Sequence, residues 1–185
     1  MKRTALLLSV TMLLGGCAQP GVWVGTNSEG PISEGSRIEL NRDIEIAPQQ
    51  ARVFFQQGVA ITKSRLDYYL PSCDIEVRSL SSEVQVVHKD VFTVTRVEAG
   101  REQVVSRDGP MFAALDLSAG YGWGGGLMWE RGVSVHRYFR FGLLSEAQPD
   151  VMRLTCRGAL DDYHRAWLPT SEEIRSALGE YISFL

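Results

Sequence analysis

The feature that most constrains this chain is a succession of short segments in which apolar and polar residues alternate: "RIEL", "DIEIAP", "ARVFFQQG", "CDIEVRSL", "VQVVH", "DVFTVTRVEAG", "EQVVSRDG", "FAALDL", "GVSVHRYFRFGLLSE" and "DVMRLTC". Successive side chains of a strand point to opposite faces, so a period of two lets each segment bury one face and keep the other polar. The spacing of the segments and the turn residues between them predict a mainly β fold, an antiparallel β-sandwich or open barrel. In the longest segment Val133, Val135, Phe139, Phe141 and Leu143 share one face, interrupted by Arg137, while His136 and Tyr138 lie on the other. No internal repeat is evident.

The tail "LPTSEEIRSALGEYISFL" changes period. Pro169 and Thr170 announce a helix start, and Thr170 with Glu173 has capping-box spacing. Ile174, Ala177, Leu178, Tyr181 and Ile182 fall on one stripe, which predicts a C-terminal α-helix packed on the sheet. A partner-binding helix is the alternative use of such a stripe.

At 185 residues the chain has room for one domain of ordinary size, with 44% hydrophobic and 22% charged residues, as in a globular protein. A formal charge of −3 and scattered Lys and Arg give no basic footprint, so no nucleic-acid partner is expected.

The first seventeen residues, "MKRTALLLSVTMLLGGC", divide into a basic start, an apolar stretch and small residues, the three-part build of an export signal. The apolar run of roughly ten residues falls short of the about 20 that span a bilayer. Leu14-Gly15-Gly16-Cys17 resembles the bacterial lipobox. The resemblance implies that residues 1–16 are a lipoprotein signal peptide, that the Cys17 thiol takes a diacylglyceryl group, and that its new amino group is acylated in turn. Each buried CH₂ contributes about 0.8 kcal/mol, and two or more chains make a stable anchor where one gives only reversible binding. The position after Cys17 is Ala18 and not the Asp that holds proteobacterial lipoproteins in the inner membrane. By the same resemblance the expected address is the cell outer membrane, with the domain facing the periplasm. Surface exposure and a Gram-positive cell membrane are the alternatives. Residues 17–36, rich in Gly, Ser and Pro, read as the lipidated Cys and a flexible tether, and residues 37–185 as a single β-rich domain.

With Cys17 acylated, Cys73 and Cys156 remain of the three cysteines. Cys73 shares the apolar face of its segment with Ile75 and Val77, and Cys156 shares one with Met152 and Leu154, so both thiols look into a core. An exported chain folds where disulfides persist, and a Cys73–Cys156 bridge is expected. Two separate buried thiols are the alternative.

One stretch departs from the β pattern. "SAGYGWGGGLMWERG", residues 118–132, replaces β-branched residues with glycine and aromatics and reads as the long loop of a hairpin. Tyr121, Trp123, Met128 and Trp129 make it the candidate interaction loop, because aromatic residues are enriched at interfaces. It lacks the Gly-Lys-Ser/Thr ending of a P-loop. No Gly-X-Ser-X-Gly elbow is present, and His88, His136 and His164 are scattered. "HKD" at 88–90 and "DDYH" at 161–164 offer isolated ligand types without convergent spacing, so no metal and no cofactor are expected.

"DIEIAPQQARVFFQQG", "YYLPSCDIEVRSL" and "QPDVMRLTC…PTSEEIRSALG" resemble the pattern of uncharacterised proteobacterial lipoproteins of similar length, a likeness that brings no activity and no site residues. The function expected is a non-enzymatic, membrane-anchored module, held by acyl chains on Cys17, that binds an envelope protein or other envelope component. The alternative is an envelope hydrolase or a carrier of a small ligand or lipid, its site formed only in three dimensions.

Overall fold

Alternation becomes pairing in a computed structural model of the protein, which describes residues 31–104 and 134–185. The strands are β1 (Arg37–Leu40), β2 (Ile44–Ile46), β3 (Arg52–Gln56), β4 (Val59–Ile61), β5 (Ser72–Val77), β6 (Gln85–Val87), β7 (Asp90–Gln103), β8 (Ser134–Leu144), β9 (Val151–Arg157) and β10 (Asp161–Asp162). A helix, α1 (Ser171–Leu178), and a last strand, β11 (Ile182–Phe184), complete the chain. One sheet runs in the order β11-β1-β7-β8-β9-β5-β3-β4, with β10 added on β8, and β2 pairs with β6 in a separate ribbon. Every pairing is antiparallel. The fold is mainly β, an antiparallel half-barrel with a C-terminal helix packed on the sheet.

Register explains the core. Phe55, Cys73, Cys156, Phe139 and Ala99 form one cross-strand row, and Val53, Ile75, Leu154, Phe141 and Val97 form the next row on the same face. Ile44, Ile46 and Val87 of the ribbon and Ile174, Ala177 and Leu178 of α1 are buried in the same cluster. Each fully buried large side chain contributes roughly 1.5–3 kcal/mol, so this face drives the assembly. Cys73 and Cys156 stand directly opposite on β5 and β9, joined as a disulfide in the middle of the first row.

Three boundaries differ from the sequence expectation. The helix keeps its capping box, with Thr170 Oγ1 accepting from Glu173 N and Thr170 N donating to Glu173 Oε2. It stops after Leu178, however, because Gly179 leaves helical geometry at φ 56°, ψ −132°. Tyr181 and Ile182 therefore lie beyond the helix, Ile182 in β11 opposite Leu40 and Tyr181 against Phe55. The strand expected to end at Gly100 runs on through it to Gln103, giving a strand of 14 residues, β7. Gly100 is not a turn here: a Cβ on it would meet the Tyr138 ring at 2.6 Å, so its bareness makes room for that ring. At the other end, Ile32 is buried and Gly35 N donates to Val94 O, so the packed domain reaches back past residue 37. Val133 and "FAALDL" lie outside the described residues.

Candidate functional site: a charged face of the sheet

The second face of the sheet carries charge in registered rows. Arg96, Gly142, Arg153, Glu76 and Arg52 make one row, and Glu98, Arg140, Thr155, Asp74 and Phe54 the next. Gly100, Tyr138, Arg157 and Ser72 follow. Alternation in sequence thus places eight charged side chains on five adjacent strands, β7, β8, β9, β5 and β3, of one surface. Cross-strand neighbours of opposite sign stabilise a sheet.

The ion pairs are specific. Arg153 grips Glu76 through Nε at 2.6 Å and Nη2 at 2.9 Å, a bidentate fork, and Arg52 adds a second contact to Glu76 at 3.0 Å. Arg157 donates to Asp74 and reaches Glu102 at 3.2 Å. The Asp74 side chain is fully buried and that of Arg157 is only 8% exposed. Burial pushes the Asp74 carboxyl above the usual carboxylate range, against the pull of Arg157. For Glu76 burial alone would do the same, yet the Arg153 hydrogen bonds and Arg52 hold it below its ordinary value. Burial alone would also lower the Arg157 guanidinium, but Asp74 and Glu102 outweigh it and hold it above its ordinary value.

Where the first row passes Gly142, the surface opens. A groove of about 440 Å³ is bordered by Arg78, Arg96, Arg140 and Arg153, with Glu98 as its one carboxylate and Leu144, Pro149 and Met152 on its rim. Arg96 lies 2.8 Å from Glu98, but Arg140 approaches Glu98 only to 3.8 Å and stacks on the Tyr138 ring at 4.8 Å. Arg140 Nε is buried with no hydrogen-bond partner. Arg78 makes no ion pair among the described residues.

A second cleft, of about 260 Å³, lies toward the other end of the face and is lined by Arg52, Lys63, Tyr68, Glu102, His136 and Arg157, among others. His136 is buried, and its Nδ1 donates to Gly158 O at 2.8 Å. That bond fixes the tautomer and leaves Nε2 as a lone pair, which is buried and has no partner. Burial lowers the imidazole's proton affinity, so the ring is held neutral near pH 7. A neutral imidazole of this kind can accept a hydrogen bond or a proton from whatever enters the cleft.

The residues singled out in the sequence scatter. Cys73 and Cys156 come together, on the opposite face from the charge rows. His88 is exposed and pairs with Asp43 at 2.9 Å, while Asp90 of the same "HKD" accepts from Ser145 and Gln148. His164 is exposed against Tyr163, and Asp161 is taken by Arg165. Among the described residues no three His, Cys, Asp or Glu side chains converge, and no helix is long and apolar enough to cross a membrane. Cys17 and the loop residues Tyr121, Trp123, Met128 and Trp129 lie outside the described residues.

Alternation with the apolar Ile75 and Leu154 puts Asp74, Glu76, Arg153 and Arg157 on polar faces but does not join them. The signal was present: if Cys73 opposes Cys156 in antiparallel strands, Glu76 must oppose Arg153. No protein-family model, curated protein or solved structure matches the chain.

Proposed function

We propose that the protein is a lipoprotein anchored in the cell outer membrane through acyl chains on Cys17, and that its periplasmic β-domain is a non-enzymatic binding or structural module. The observation that carries the binding half of this reading is the arginine-bordered groove around Gly142. Arginine keeps its proton at any physiological pH, so it holds and orients anionic partners and does not shuttle protons. A cluster of four such groups on a rigid sheet suits recognition. The candidate loop from Tyr121 to Trp129 belongs to the connection between β7 and β8 and is a second, separate candidate surface.

The experiment has two arms in living cells. Cys17→Ser should abolish labelling by a palmitate analogue, and retained labelling would sink the anchor. A photocrosslinking residue at Met152 should give discrete envelope adducts, and one at Trp123 tests the loop separately. A groove that yields no adduct from any rim position would sink the binding module.

A second reading, a hydrolase or small-ligand carrier, is favoured by the unpartnered His136 Nε2 in the smaller cleft. His136→Gln distinguishes them. It should leave the Met152 adducts unchanged if the groove is the functional surface.

A further inference from the structure

We infer that the groove around Gly142 holds the phosphate of an anionic phospholipid, its oxygens facing the arginines and its first acyl carbons against the aliphatic rim. This deepens the binding-module reading above and rests on the domain being held at a membrane.

The groove exists because one strand position has no side chain. In the row Arg96, Gly142, Arg153, two guanidinium-bearing strands flank a bare central one, and Arg140 enters from the same strand two residues away. A guanidinium presents a planar fork of donors that matches phosphate oxygens. The charge on these arginines is only partly spent. Arg153 is committed to Glu76, but Arg140 reaches its nearest carboxylate only at 3.8 Å, and Arg78 has no ion pair among the described residues. Four arginines against Glu98 make a cationic spot on a chain whose formal charge is −3. One phosphodiester, carrying a single negative charge, would offset part of that excess.

Size and rim select among anions. About 440 Å³ is the scale of a small-molecule site. A free phosphate ion would leave the rim unused, whereas Leu144 is 55% exposed and sits beside exposed Pro149 and half-buried Met152. An anionic head with an alkyl stem uses both halves of the groove.

The test uses the acylated full-length protein in vesicles that carry a phosphatidylglycerol probe with a photoactivatable group near the glycerol end of one acyl chain. A matched set carries the phosphatidylcholine probe. The phosphatidylglycerol probe should label the segment from Leu144 to Met152 severalfold more than the phosphatidylcholine probe. The preference should vanish in Arg78→Gln/Arg96→Gln, a pair of exposed positions whose loss leaves the buried ion pairs intact, with unchanged melting as the folding control. Equal labelling by the two probes, or a preference that survives the double variant, overturns the lipid site. So does displacement of the label by low-millimolar inorganic phosphate, which would mark a simple anion site. Any of these with Cys17 still acylated and Met152 adducts still formed in cells removes the lipid site alone and leaves the binding module standing.

Discussion

Arg157 reaches diagonally across from β9 to Asp74 on β5, and the two side chains share a buried site on the opposite face of the sheet from the Cys73–Cys156 disulfide. The pair is therefore desolvated on a surface that alternation alone would assign to solvent. Asp74→Asn leaves the Arg157 cation with only half-exposed Glu102, and breaking one partner of a buried pair costs about 3–5 kcal/mol. Asp74→Leu combined with Arg157→Met removes both charges and should recover most of that loss. Urea denaturation of the two variants measures the difference. A single-variant cost under about 1 kcal/mol would mean the pair behaves as a surface salt bridge.

The disulfide closes a loop with a sequence separation of 83. The chain-entropy relation gives about 4–5 kcal/mol for a loop of that order. Both cysteines are fully buried, so reductant should act only through opening of the fold. Expected are slow reduction in buffer, fast reduction near the urea midpoint, and a large fall in that midpoint once reduced. Alkylation of both thiols in urea without reductant would show that the bridge is not formed.

The fold was legible where one face is purely apolar. Ile75, Leu154 and Phe141 alternate with charged residues, and period two assigned them inward without help. The helix end was not legible from periodicity, because Tyr181 and Ile182 continue the apolar stripe in register after the chain has changed conformation. Only Gly179, whose positive φ ends the helix, separates the two states. The charged face escaped for another reason. Polar residues on a strand read as solvated, and nothing local to "CDIEV" says that Arg157, 83 residues on from Asp74, will cover Asp74. Likewise His136 reads as one of three scattered histidines until Gly158 fixes its tautomer and the fold buries its other nitrogen.

His136 predicts a pH dependence. Its folded proton affinity lies below the ordinary value of 6.5 because burial penalises the imidazolium. Above pH 6.5 the ring is neutral in both states and costs nothing. As pH falls below 6.5 the unfolded chain takes up the proton first, so stability declines until the folded-state value is passed. The slope from one group is at most about 1.4 kcal/mol per pH unit. His136→Gln should flatten the profile as pH falls below 6.5, whatever it does to stability at pH 7. Identical slopes for the two proteins would show that the ring titrates normally.

A last prediction concerns the contact that fixes the helix against the β3–β4 turn. Gly58 N donates to Ala177 O, and a Cβ on Gly179 would lie 2.5 Å from Gly58 Cα, so the two backbones touch where side chains would hold them apart. Three glycines of positive φ then separate conformation from contact. Gly35 at φ 84° has open space around its missing Cβ, so Gly35→Ala should cost only the left-handed penalty of roughly 1–2 kcal/mol. Gly58 at φ 73° meets Gly179 Cα at 3.4 Å, ordinary contact, and Gly58→Ala should cost little more. Gly179→Ala adds a backbone clash to the penalty, and neither backbone can yield without moving α1 off β3 and β5. Its cost should exceed that of Gly35→Ala by about 1–3 kcal/mol. Denaturant midpoints for the three variants test the order. Equal losses at 35 and 179 would mean that α1 and the turn do not approach this closely in solution.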